Sequence, residues 1–237
     1  MATLTQQRRA QRKRKSGHNP LAGPLMLLAG AVAVAALYIA FVLWPRWPDV
    51  PVTLDAPSLP IVIAGVNFNI EPAAIRRAIQ RRPGTEDRVD LAYLWPSLTP
   101  PDPRAKPSVG QPADPNRRLF VTITSGETTL PIMSRVNEIY PRYLVAEPKA
   151  GPPGLTLRGF RDGTPYQGEE LVFEQGDPGH FLARCTLKGA VNAGNCLLER
   201  RIGNADITFR FPRAWLKDWK NVTAGVDKLL ARLHPDH

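Results

Sequence analysis

The chain has 237 residues, 25 of them proline, with 31 Lys and Arg against 21 Asp and Glu and a hydrophobic content of 43%. That length fits one domain with appendages, and a proline share about twice the usual one calls for extended stretches beside a real core, which excludes wholesale disorder. Two cysteines, with His18, His234 and His237 in the termini and only His180 near Cys185, exclude a zinc-organised fold and imply neither metal nor cofactor.

The net charge of +10 is concentrated at the start. Arg8, Arg9, Arg12, Lys13, Arg14 and Lys15 stand with no acid among the first twenty residues; such a run cannot bury apolar surface and is expected to be a disordered basic tail. Leu25 to Trp44 then carries no charge, and twenty helical residues at 1.5 Å each reach ~30 Å, the thickness of a hydrocarbon core. Tyr38, Trp44 and Trp47 crowd its far end as interfacial aromatics do, and Pro45 closes the helix. Six cations precede the span, whereas Arg46 is balanced by Asp49 and Asp55, so the expected topology has the N-terminus in the cytoplasm and everything after Trp44 outside. A cleaved signal peptide is the competing reading, since Ala33-Val34-Ala35 is a passable cleavage site. Cutting there leaves Leu37 to Trp44 as an exposed apolar stub, which favours an uncleaved anchor. Arg8-Arg9 lacks the apolar followers of a twin-arginine signal. Ala29, Ala33, Ala36 and Ala40 fall on one helix face and would permit close packing against a second copy. The tail has no interleaved aromatics and abuts the span, so membrane lipid is its expected partner and nucleic acid is not.

Pro45, Pro48, Pro51, Pro57 and Pro60 fix φ and remove donors, which predicts an extended stalk over residues 45–60. From Ile61 the pattern turns strand-like, with Val66, Phe68 and Ile70 alternating with Asn67 and Asn69. Glu71-Pro72 is expected to open a helix burying Ile75 and Ile79, with Arg76, Arg77, Arg81 and Arg82 on or beside its outer face. Pro83-Gly84 stops it, and Val89, Leu91, Tyr93 and Trp95 form a second strand. Residues 99–116 hold six prolines and read as a surface loop. Arg118 to Thr124 is a third strand, Pro131 to Tyr140 a short helix, and Lys149 to Gly154 a loop.

Five short strands follow, over 155–161, 170–174, 181–187, 196–202 and 205–211, punctuated by Asp162-Gly163, Asp177-Pro178-Gly179 and Gly203-Asn204. A two-residue Gly-Asn turn would set Ile202 opposite Ala205 and Arg201 opposite Asp206. Cys185 and Cys196 flank a hairpin loop and are expected to be bridged in an oxidising compartment. Trp215, Trp219, Val222, Val226, Leu229, Leu230 and Leu233 recur at three- and four-residue steps before Pro235, an amphipathic helix expected to cover the sheet. Hairpin-ordered strands with helices at the ends of the domain give an α+β class: an antiparallel sheet with packed helices, preceded by one transmembrane helix.

Chemistry is less legible. His180 and Cys185 are five residues apart on one strand and face opposite ways, so they form no dyad, and His180 is expected to be a turn residue. Asp162, Glu169, Glu170 and Glu174 cluster around Tyr166, which admits a glycan-binding or hydrolase reading centred on Asp162, Tyr166 and Glu170. Arg76, Arg77, Arg81 and Arg82 make a second basic cluster that could meet an anionic headgroup or polymer. No nucleophile elbow, zinc helix, phosphate loop or dinucleotide fingerprint occurs.

The stretches Ile61-Val62-Ile63-Ala64-Gly65-Val66-Asn67-Phe68, Leu94-Trp95-Pro96 and Phe160-Arg161-Asp162-Gly163-Thr164-Pro165-Tyr166 resemble those of uncharacterised bacterial single-pass membrane-anchored proteins with a periplasmic domain. The resemblance spans most of the chain beyond the anchor, implies a bacterial inner-membrane setting and carries over no active residues. The expected layout is therefore a basic cytoplasmic tail (1–24), a transmembrane helix (25–44), a stalk (45–60) and a periplasmic α+β domain (61–237). The expected role is that of an accessory, scaffold or assembly factor binding an envelope protein partner, without catalysis.

Overall fold

A computed structural model describes residues 22–43, 52–104, 117–187 and 194–235. The basic cluster of residues 8–15, the aromatics Trp44 and Trp47, the first three stalk prolines and most of the 99–116 loop lie outside the described residues. The chain divides into two units, Met1–Arg46 and Trp47–His237. The first contains α1 (Ala22–Leu43), a helix whose Gly23–Val42 stretch is long and apolar enough to cross a membrane; an N-terminal signal sequence would meet the same description.

The second unit is α+β. Leu59–Ile63 (β1) and Val66–Ile70 (β2) pair antiparallel, and Gly84–Thr85 (β3) adds a short parallel edge. Ala64 and Gly65 both take positive φ, 49° and 81°, as a two-residue turn between right-twisted strands requires. An eight-stranded sheet follows in the order β4-β5-β11-β10-β9-β8-β7-β6. Its strands are Arg88–Leu94 (β4), Arg118–Ser125 (β5), Lys149–Ala150 (β6), Leu155–Gly159 (β7), Glu169–Glu174 (β8), Leu182–Thr186 (β9), Asn195–Ile202 (β10) and Ala205–Pro212 (β11). All neighbours are antiparallel. The Gly203-Asn204 turn sets Ile202 against Ala205 and Arg201 against Asp206, as the sequence predicts.

Strict alternation divides the sheet into two faces. Val89, Leu91, Tyr93, Leu119, Val121, Ile123, Leu198, Ile207 and Phe209 are buried in one cluster that also takes Ile61, Ile63, Phe68 and Ile70 of the small sheet. The chain closes this face with a 3-10 turn, Arg213–Asp218, leading into α3 (Trp219–Leu233). Trp219, Val222, Val226, Leu229 and Leu233 of α3 are buried there, each worth about 1.5–3 kcal/mol of removed apolar surface. The Trp219 indole Nε1–H also donates to the Pro153 carbonyl at 3.0 Å, so its polar atom is not orphaned.

The helix expected after Glu71 is not there. Pro72–Ala74 and Ala78–Gln80 are separate 3-10 turns, and Ile75 and Arg77 between and beside them are extended. Ile75 bridges to Leu91, and the Arg76 N–H donates to the Asp90 carbonyl at 2.9 Å, so the segment runs along the edge of β4. Ile79, expected in the core, is 57% exposed. The segment beyond Pro131 is helical but irregular: one α-turn, Ile132–Ser134 (α2), then a π-turn, Arg135–Ile139, and a 3-10 turn, Tyr140–Arg142.

Candidate functional site

The second face of the large sheet is covered at its β7–β9 end by a small cluster of its own. There Tyr140, Leu144, Phe160 and Leu171 are buried together, with the Tyr166 ring tilted against Phe160 at 4.8 Å and edge-on to Tyr140 at 5.1 Å. The remainder, on β4, β5, β11 and β10, is bordered among the described residues by Arg76 and by Thr129, Leu130 and Arg135, and its side chains form three cross-strand rows.

Ala92, Phe120, Arg210, Leu197 and Arg184 stand side by side across five strands. The next row is Asp90, Thr122, Thr208 and Glu199, and the third is Arg88, Thr124, Asp206 and Arg201. Two depressions lie on these rows. One of about 450 Å³ is lined among others by Thr124, Arg135, Arg184 and Glu199. The other, about 170 Å³, is lined among others by Arg76, Arg88, Asp90, Phe120 and Arg210. They share Leu197 and Thr208, so they form one continuous surface.

Charge on this surface is largely matched. Arg88 donates to Asp90 through Nη2 at 2.7 Å and Nε at 3.0 Å, Thr122 Oγ1 donates to the same carboxylate at 3.1 Å, and Arg77 lies 3.4 Å away. Gln80 reaches across to accept the Asp90 N–H at 3.1 Å and to donate to the Arg88 carbonyl at 3.0 Å. Burial would raise the Asp90 pKa, but hydrogen bonds from Arg88 and Thr122 and the charges of Arg88 and Arg77 outweigh it and hold the group below its usual range. Asp206 behaves alike: burial is overcome by a bidentate Arg201 fork, 2.6 and 2.8 Å, and by the Thr129 hydroxyl. Arg135 pairs with Glu199, and Arg184 lies 3.1 Å from Glu169 with its guanidinium over the Tyr166 ring. Asp90 and Asp206, held below their usual range by arginine, are poor general bases near neutral pH.

The sequence-predicted residues are dispersed over this frame. Arg76 and Arg77 reach the rim of the smaller depression. Arg81 donates back to the Ile75 carbonyl at 3.0 Å and Arg82 pairs with Glu86, so the four do not share one outward helix face. Glu170 and Val172 point to the core side of β8, where Glu170 is 8% exposed and pairs with Arg213, whereas Leu171 and Tyr166 belong to the opposite face. Asp162, Tyr166 and Glu170 therefore do not line one cleft, because the pleat sends Glu170 through the sheet from Tyr166. His180 sits on the turn after Pro178 and contacts Glu174, and Cys185 is bridged to Cys196 directly across β9 and β10. Sequence reasoning missed Phe120, Thr122, Arg184, Glu199, Thr208 and Arg210. For Thr122, Thr208 and Arg210 the signal was the polar phase of the 118–124 and 205–211 alternations.

No known protein family matches the chain, and no curated protein does. Among solved structures it is similar to an immunity protein of the Stenotrophomonas maltophilia type IV secretion system, with a TM-score of 0.52 and 17% identity over 75% of this chain and 93% of that one. The iron-regulated outer membrane lipoprotein FrpD of Neisseria meningitidis gives a TM-score of 0.37 and 9% identity over 68% and 83%. The first match shows a shared fold.

Proposed function

We propose that the chain is a membrane-tethered protein of the bacterial cell envelope whose periplasmic α+β domain binds a protein partner as an accessory factor, without catalysing a reaction. The observation that carries this reading is the second face of the large sheet: cross-strand rows that set arginine, threonine and carboxylate side chains beside Phe120 and Leu197, with two connected depressions and with Asp90 and Asp206 held ionised. Surfaces of that kind recognise a complementary protein by charge and hydrogen bonding. The fold shared with an immunity protein of a type IV secretion system supports an accessory role of this class. α1 and the basic residues before it support an inner-membrane anchor with the N-terminus in the cytoplasm. The Cys185–Cys196 bridge supports an oxidising compartment for the domain.

A reporter active only in the periplasm, fused after His237, is expected to be active in cells, with residues 1–44 retained in the mature chain. Photoreactive side chains placed at exposed positions of the domain are expected to give discrete crosslinked species in intact cells. A cytoplasm-only reporter signal, an N-terminus beginning near Ala36, or an absence of crosslinks from every position would refute the reading.

A further inference from the structure

We infer that the smaller depression recognises a carboxylate-bearing segment of a partner protein, with Arg76 and Arg210 reading the charge and Phe120 supplying the apolar contact between them. This rests on the partner-binding reading above and specifies the chemistry of that partner.

The inference comes from which cations on the face lack a match. Arg88, Arg135, Arg184 and Arg201 each have a carboxylate, respectively Asp90, Glu199, Glu169 and Asp206. Among the described residues no carboxylate pairs with Arg76 or Arg210. Both guanidiniums instead converge on one ring, with Arg76 Cζ 4.8 Å and Arg210 Cζ 4.7 Å from the Phe120 centroid. Each gains a cation–π contact, but two like charges are brought to the same aromatic ring without a counter-ion. A carboxylate at this rim would supply the counter-ion that either guanidinium lacks, through the forked donors by which arginine binds anions most strongly.

The surroundings choose the kind of anion. Asp90, Thr122 and Thr208 border the depression, so an anion driven deep would meet the Asp90 charge, and the favourable position is the rim beside Phe120. About 170 Å³ accommodates a side chain, not a polymer strand. A uniformly anionic bilayer or polyanion would also face Glu199 and Asp206 a few strand positions away. A protein segment sets its carboxylates singly and can carry an apolar neighbour for the Phe120 ring, which fits a mixed surface of this kind.

The test uses the full chain in detergent micelles and a synthetic peptide alternating Glu and Ser, against the same peptide with Lys for Glu. The read-out is the side-chain Nε–H resonances of Arg76 and Arg210, which binding at the basic N-terminal residues does not move. The Glu peptide is expected to shift both resonances saturably, to do so less as salt rises, and to lose at least tenfold in affinity in the R76Q/R210Q variant, where binding is followed by the backbone N–H resonances of Phe120 and Thr208 in the same depression. The charge-matched K217Q/K228Q variant, in the 3-10 turn and in α3, is expected to bind as the parent does. Unshifted resonances, equal shifts with the Lys peptide, or a larger shift with phosphatidylglycerol vesicles than with the Glu peptide would each overturn the inference, the last by making the patch a lipid contact. If photoreactive groups in cells crosslink a protein from Lys228 and none from position 120, the partner reading survives and this face is wrong. Silence at every position removes the partner reading itself.

Discussion

Replacing Gly225 by alanine asks whether α3 is held against the sheet or is free to lie elsewhere. Gly225 sits in the interior of a fifteen-residue helix, and on helix propensity alone alanine there would stabilise by about 1 kcal/mol. The structure opposes that gain. A Cβ at position 225 would stand 2.7 Å from Trp95 Cζ3 and 2.9 Å from Cη2, inside any tolerable contact. The Trp95 ring has little room to yield, because it is stacked on Trp215 at 4.7 Å and Trp215 lies against Phe211. Overpacking of this kind costs about 1–3 kcal/mol, so Gly225→Ala is expected to destabilise by about 1 kcal/mol net. In a Trp95→Leu background the obstruction is gone, and the same change is expected to stabilise by about 1 kcal/mol. Guanidinium unfolding of the four proteins, followed by far-UV circular dichroism, closes the cycle, with a coupling of about 1–3 kcal/mol. Equal stabilisation in both backgrounds would show that α3 does not seat on Trp95, as expected of a helix lying in a membrane interface, and the packing described for it would be wrong.

Cys196→Ser, or reduction, is expected to lower stability by about 3 kcal/mol without abolishing folding, since the bridge closes a short loop in a sheet with many other contacts; alkylation of both thiols in unreduced material from cells would refute the bridge. Arg135→Leu is expected to cost about 1–3 kcal/mol because it strands the half-buried Glu199 carboxylate, and the Arg135→Leu/Glu199→Leu double variant should recover most of that loss in the same unfolding assay. Asp90 and Asp206 have folded pKa values below their ordinary 3.8, so their stabilisation is complete above that value and drains as pH falls through the lower folded values. An acid titration of the midpoint should therefore show Asp90→Asn/Asp206→Asn less stable than the parent at neutral pH and the gap closing below about pH 4; a gap unchanged down to pH 2 would refute the assignment.

The parts of the fold that could be read from the sequence are those fixed by near neighbours. Gly203-Asn204 set the Arg201–Asp206 register because a two-residue loop leaves no other pairing, and the spacing from Trp219 to Leu233 marked the buried stripe of α3 because 3.6-residue periodicity is local. The segment after Glu71 was misread because Ile75 and Ile79 at i and i+4 behind a proline mimic a helix start. What decides it is distant: Leu91 takes Ile75 as a bridge partner, and the Gln80 amide occupies backbone groups of Arg88 and Asp90. The candidate face was hidden for the same reason. Phe120 and Arg210 become neighbours only when β5 pairs with β11, and nothing in either strand names the other.

That pairing also orders events in time. From β7 to β11 each strand lies beside its sequence neighbour, so this meander assembles by local hairpins, whereas β4 and β5, made much earlier, await β11 on their open side. During synthesis the Arg118–Ser125 strand must therefore persist as a bare edge, rich in β-branched residues, until the entire central part of the chain has followed it. A ribosome stalled before Ala205 would release a product with that edge uncapped. Quality-control proteases or a holding chaperone would meet the protein at this stage, and substitutions in β11 would act on yield before they act on the stability of the finished domain.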